Sequence, residues 1–221
     1  MGKEPGFGLD CGYGSGIGCV LEPLFRILDL LSRKGSADRK ELAEEAGIEP
    51  SALEGVLGVF RSCGWIRPVD ANLCLTDVGR KGFSDLGLKY VDFSSSVYVV
   101  GDCQQGVLVE GAADKFLDPA QVRDMASTIG SQGASLFVMK GGRLRFPPMW
   151  DLDEMDPGFA SMVRGTGIKE GDVLAVVGSQ DQEVSRSVAA TLGLAMKQLT
   201  IAGAEPFDLE EMSIRSRCQG S

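Results

Sequence analysis

The chain has 221 residues, of which 43% are hydrophobic, enough to build real cores in one large domain or two ordinary ones. Its 31 acidic residues outweigh 22 basic ones for a net charge of -9, and histidine is absent. This balance excludes a general polyanion binder, and the missing imidazole excludes histidine-based triads and histidine-bearing zinc sites.

Residues 1–19 form a glycine-dense leader containing the run GFGLDCGYGSGIG. Its spacing fails the phosphate-cradle frame G-x-G-x-x-G, because a frame starting at Gly12 puts Ile17 in the last glycine's place and one starting at Gly14 puts Cys19 there. No basic region followed by an apolar run marks the start, and no apolar stretch is long enough for a membrane span, so a cytoplasmic chain with no membrane contact is expected. Cys11, Cys19, Cys63, Cys74, Cys103 and Cys218 contain no C-x-x-C pair and read as reduced, mostly buried thiols. Cys218 sits where a prenylated cysteine would, but Gln219 and Gly220 are not the aliphatic pair that signal needs.

From Val20 the pattern is helical, with Leu21, Leu24, Ile27, Leu28 and Leu31 on one face up to Arg33. Ser36 then opens the stretch on which the reading turns, with DRKELAEEAGIEPSALEGVLGVFRSCGWI at its centre. Leu42 and Ala46 share one face of a first short helix, Gly47 makes a tight turn, and Leu53, Val56, Leu57 and Phe60 form the buried stripe of a second. Pro50 in the first turn and Ser51 as a cap compete for the start of that second helix. After Gly64 come Trp65 to Arg67, a turn, and Leu73 to Leu75, two short strands of a hairpin. Thr76 caps a further helix whose Val78, Phe83 and Leu86 are expected to close the core against the first. Helix, helix, helix, hairpin, helix over residues 20–92 predicts a winged helix-turn-helix domain. Gly55 and Gly58 are read as sites of close helix packing.

The segment LTDVGRKGF, taken with ELAEEAGI and the closing GWI, resembles many microbial winged helix regulators of the MarR/ArsR kind. The resemblance implies a third helix placed in the major groove of double-stranded DNA. The residues of this chain that would meet DNA are Arg39, Lys40, Ser51, Arg61, Arg67, Arg80 and Lys81, with Ser51 and Arg61 at base edges and the others at phosphates. The same residues are equally a solvated charged surface. Residues 20–92 hold ten basic against twelve acidic side chains, and the third helix offers one guanidinium, one carboxylate and two glycines outward, a poor phosphate face.

Polar DFSSS marks a boundary, and residues 93–200 then predict strands at Val97–Val100 and Val107–Val109. A helix from Pro119, a hairpin through Gly141 and Gly142, and a short helix near Phe159 follow. A buried strand at Asp172–Val177 and a long helix from Asp181 complete the unit. The order is that of an α+β, ferredoxin-like domain, with an open α/β sandwich as the alternative. GAADK, VRD, the hairpin ending RFP, and EGDV with VVGS resemble the C-terminal domain of an uncharacterised archaeal family in which a winged helix precedes a domain of unknown function. That resemblance implies a transcription regulator without an assigned ligand. Residues 201–221 are left as a C-terminal tail.

Asp114, Lys115, Arg123 and Asp124 are candidates for one polar pocket at a strand end, and Ser179 with Asp181 for an anion site at a helix start; surface pairing and helix capping explain them as well. Asp151, Asp153, Glu154 and Asp156 lack the glycine and terminal glutamate of a calcium loop. With no nucleophile beside a base, no catalytic residue, cofactor or metal is expected, and the chain reads as no enzyme. The leading expectation is a cytoplasmic regulator, dimeric through a second domain that senses a small-molecule effector. The alternatives are a winged helix turned to protein contacts, and a small-molecule enzyme using Asp114 and Lys115.

Overall fold

The computed structural model describes residues 17–114, 119–147 and 150–202, with side chains placed from Glu22 to Lys197 within those bounds. The leader to residue 16, Lys115 and residues 203–221, with Cys218, lie outside them.

The N-terminal part is helical. It runs α1 (Ile17–Lys34), β1 (Ser36–Ala37), α2 (Arg39–Ala46), α3 (Pro50–Ser62), β2 (Ile66–Val69), β3 (Asn72–Leu75) and α4 (Asp77–Asp85). Each helix start has a local cause. Asp38 accepts from the Glu41 N–H while the Glu41 carboxylate accepts from the Asp38 N–H, a reciprocal capping box that starts α2. Gly47, with φ 63°, ends that helix in the left-handed region, and Pro50 starts α3 without a side-chain cap, so Ser51 does not serve as one. The Thr76 hydroxyl accepts from the Gly79 N–H to start α4. Ser36 pairs with Cys74 in an antiparallel sheet of order β1-β3-β2, where it opens a strand rather than a helix.

The core of this part joins Ile27, Leu28 and Leu31 of α1 to Leu42, Leu53, Leu57, Phe60, Leu73 and Leu75. Val78, expected in that core, is 60% exposed, because Gly79 rather than Val78 faces inward on α4 and packs against the Trp65 backbone.

The second part begins earlier than the expected boundary. β4 (Leu88–Val91), β5 (Cys103–Val109), β6 (Gly133–Lys140), β7 (Arg143–Phe146), β8 (Trp150–Asp151) and β9 (Val173–Ser179) form one six-stranded sheet of order β4-β5-β9-β6-β7-β8. Every neighbouring pair is antiparallel. A ferredoxin-like sheet is likewise antiparallel between neighbours but holds its hairpin strand between the first two strands, whereas here the last strand, β9, lies there, so the strand order differs. The connection through α5 (Pro119–Thr128) carries the chain from β5 to β6 two positions away, and β9 fills the slot between them, antiparallel to both. β9 is buried along its whole length, which is why its sequence reads as a continuous apolar run.

Successive residues of β9 alternate between two cores: Val173, Ala175 and Val177 face α5 and α8 (Gln182–Ala202), whereas Leu174 and Val176 face α7 (Pro157–Gly165) and the segment 92–100. A four-residue helix, α6 (Leu152–Met155), precedes α7. The strand expected at Val97–Val100 is absent. The Gln104 side-chain amide lies within 3.0 to 3.2 Å of the carbonyls of Ser95, Val99 and Gly101, and Ser135 donates to that of Tyr98. These side-chain donors satisfy backbone acceptors that a ladder would otherwise take.

Candidate functional site

α3 and the β2–β3 hairpin adjoin on the first part. Leu53, Leu57 and Phe60 anchor α3 inward, which leaves Ser51, Glu54, Gly55, Gly58, Val59, Arg61 and Ser62 outward. Val59 is 46% exposed. A Cβ built on Gly55 or Gly58 would meet nothing within 4 Å, so neither glycine serves close packing and the earlier expectation fails: the α3 face they occupy is open. The hairpin is held at its base, where Trp65 stacks on Phe60 at 6.2 Å and the Thr76 hydroxyl donates to the Gly64 carbonyl at 2.6 Å.

Most of the cations expected at DNA are engaged. Arg39 reaches Glu54 at 2.7 Å and Arg61 reaches the other oxygen of the same carboxylate at 3.3 Å, which lowers the Glu54 pKa through the Arg39 hydrogen bond first. Lys40 lies 3.8 Å from Glu44, Arg80 bonds Asp77 and the Leu75 carbonyl, and Lys81 reaches Asp85 at 2.7 Å. Arg67, on β2, is exposed and has no ion pair among the described residues. These pairs lie at the surface, where solvent screens them, and each can be exchanged for a phosphate.

Asp114 and Ser179 stand at opposite ends of the sheet, because Val109 pairs with Val173 at one end and Cys103 with Ser179 at the other. Asp114 pairs with Lys140 at 2.9 Å, Asp124 is exposed on α5, and Lys115 lies outside the described residues. Arg123 donates to the Pro119 carbonyl at 3.3 Å and, with Leu136, Phe146 and Trp150, lines a shallow depression. The Ser179 hydroxyl is buried and committed: it donates to the Asp181 carbonyl, accepts from the Asp181 N–H, and lies 2.8 Å from the Ser185 hydroxyl. Asp181 accepts from the N–H groups of Glu183 and Val184 and so caps α8.

The acidic stretch after the second hairpin is a set of ion pairs and caps. Arg143 reaches Asp151 at 2.5 Å and Glu154 at 2.7 Å, and Asp156 caps α7 and accepts from the Tyr98 hydroxyl. Arg164 binds both oxygens of Asp153, and that hydrogen bonding holds the Asp153 carboxyl down at about 2. Among the described residues no group of three or more Cys, Asp or Glu is placed to hold a metal ion, and no helix is long and apolar enough to cross a membrane.

A charged junction that the sequence reading missed joins the two parts. Glu22, Arg26 and Asp29 on α1 are 6%, 5% and 6% exposed. Arg26 lies 3.3 Å from Glu22 and also pairs with Glu183 of α8, while its Nε is buried without a hydrogen-bond partner. Arg33 reaches Asp29 at 2.7 Å, and Arg186 of α8 bonds Glu45 of α2 at 2.5 Å. Arg186 also sits 5.3 Å over the Tyr90 ring, and burial pushes the Tyr90 phenol up. The i, i+4 steps from Glu22 to Arg26 and from Asp29 to Arg33 stand in the sequence, but their burial depends on α8, which lies far away in the chain.

Against known families, residues 100–197 match the one described as "Domain of unknown function (DUF4443)". No curated protein matches the chain. Among solved structures, the chain is similar to the hypothetical protein PH0730 from Pyrococcus horikoshii OT3, at 18% identity and a TM-score of 0.62, over 80% of this chain and 92% of that one. At this identity the likeness shows a shared fold, in which a helical N-terminal part and an antiparallel sheet recur together.

Proposed function

We propose that the N-terminal part is a winged helix that engages double-stranded DNA through α3 and the β2–β3 hairpin, and that the chain is a transcription regulator. The reading rests on one observation: the order α1, β1, α2, α3, β2, β3, α4 with the sheet order β1-β3-β2, in which a third helix with an exposed outer face directly precedes a hairpin exposed along Arg67 to Val69. Arg39, Lys40, Arg61, Arg67, Arg80 and Lys81 contact phosphates, and Ser51 and Arg61 reach base edges. The second part, an open α/β sandwich, supplies effector sensing or the contact between two copies.

A second reading, in which α3 docks a protein, is favoured by Glu54. Its carboxylate takes up both Arg39 and Arg61, and the outward face around it includes the uncharged Gly55, Gly58 and Val59.

Fluorescence anisotropy of the full chain with its own promoter and with random-sequence duplexes separates the two. DNA binding that favours the promoter, weakens steeply with salt and is lost in the Arg61→Glu, Arg67→Glu double variant supports the regulator. No binding at low salt, with a protein partner captured through α3, establishes the second reading.

A further inference from the structure

Glu54 is the one carboxylate of α3, and the DNA reading above gives it no task. Ser51, Glu54, Gly55, Gly58 and Arg61 follow one another at three- and four-residue steps, a single exposed stripe along the helix. Within it the Glu54 carboxylate is tied at both oxygens. Arg39 of α2 donates to one through its Nε at 2.7 Å, and Arg61, about two turns along α3, donates to the other at 3.3 Å.

Neither bond exhausts its group. A carboxylate oxygen accepts more than once, and the guanidinium of Arg61 keeps its other N–H donors, which have no partner among the described residues. Glu54 and Arg61 thus present an acceptor and a donor side by side, one hydrogen bond apart. A lone carboxylate would be repelled by nucleic acid, but Arg39, Glu54 and Arg61 together are cationic. Between Ser51 and Arg61 the stripe is otherwise bare, since a Cβ on Gly55 or Gly58 would meet nothing within 4 Å. A helix without side chains at those positions lies closer to a groove floor, within reach of base edges.

In the major groove only the amino groups of cytosine and adenine donate. Adenine sets its N7 acceptor beside that amino group, which repels a carboxylate, whereas cytosine has no such neighbour. The cytosine amino group adjoins guanine O6 across the pair, and O6 with N7 accepts a guanidinium. A C·G pair therefore offers a donor beside acceptors, the complement of Glu54 beside Arg61. We propose that, in the DNA complex on which this inference rests, Glu54 and Arg61 together read one C·G pair. The carboxylate accepts from the cytosine amino group while the guanidinium donates to guanine O6 and N7.

The test takes the full chain as wild type, Glu54→Gln and Arg61→Lys through selection from duplexes with about 20 randomised base pairs, two half-sites' worth. Single-pair changes in each selected site are then measured by fluorescence anisotropy. Both residues are exposed, so the variants keep the fold, which circular dichroism checks. The wild type is expected to select a fixed C·G pair whose replacement weakens binding about 5- to 150-fold. Glu54→Gln moves the preference at that position alone to A·T, because an amide accepts from the adenine amino group and donates to N7. Arg61→Lys relaxes discrimination at the same position, having lost the planar fork. A wild-type site with no fixed C·G pair, or folded variants that keep the wild-type preference at it, overturn the proposal and leave DNA binding in place. Failure of the wild type to bind any duplex at low salt overturns it together with the DNA reading.

Discussion

Gly79 and the pair Gly55 and Gly58 are all helical glycines, and their surroundings give them opposite roles. A Cβ on Gly79 would stand 2.8 Å from the Trp65 carbonyl carbon and closer still to its oxygen, both backbone atoms that cannot step aside. Gly79→Ala therefore separates α4 from the base of the hairpin and lowers stability by roughly 1–3 kcal/mol, read as a drop in the urea midpoint. Gly55→Ala and Gly58→Ala enter open space on a helix and raise stability by about 0.4–1 kcal/mol each. If either substitution on α3 lowers the midpoint, the face is not open as described. Their sequence contexts do not distinguish these glycines, since the atom that decides Gly79 comes from a residue on another element. The Gly47 turn was legible for the converse reason: a left-handed helix end is a local backbone requirement.

The element that carries most beyond its local pattern is α1. Its apolar positions were readable from spacing, but its second buried face, the charged one, depends on α8 and so was invisible to periodicity. Burial raises the pKa of both Glu22 and Asp29 above the usual carboxylate range, opposed in each case by the neighbouring arginine. The sign of the linkage follows directly. A carboxyl whose folded pKa exceeds its unfolded one favours folding below the unfolded value and loses that contribution as pH rises through the folded value. The stability of the wild type relative to a Glu22→Gln variant should accordingly fall as pH rises from just above 4 toward neutrality. Urea midpoints measured across that range check it, and a difference that stays flat or grows with pH would show that Glu22 is not titrating in a desolvated site. The two hairpins were legible because turn residues and strand alternation are local, whereas the misread strand at Val97–Val100 failed because side chains, Gln104 at the Val99 carbonyl and the distant Ser135 at that of Tyr98, satisfy acceptors a ladder would take.

For the whole molecule, the expected boundary near Asp92 proved less informative than the residues that cross it. Phe25 of α1 sits in the core of the six-stranded sheet, while Ile27 and Leu28 sit in the core of the first part, so one helix completes both. The two parts should unfold as one cooperative unit: calorimetry is expected to give a single transition, and Phe25→Ala, at a cost of about 3–5 kcal/mol, is expected to lower it without splitting it. Two resolved transitions in the wild type would refute this coupling. Asp114 and Ser179 each follow the run of a buried strand, yet the antiparallel pairing of β5 with β9 sets them at opposite ends of the sheet.

The capture of α1 by both cores also sets the mechanical freedom of the first part. A module joined by one linker can rotate about three axes, but this one is held to the sheet at two places, by Phe25 of α1 in the sheet's core and by β4 at its edge. A segment clamped at two points keeps at most a twist about the line through them. The outward face of α3 is thus carried at a nearly constant bearing to the sheet, and whatever docks there meets a rigid tool instead of a tethered one.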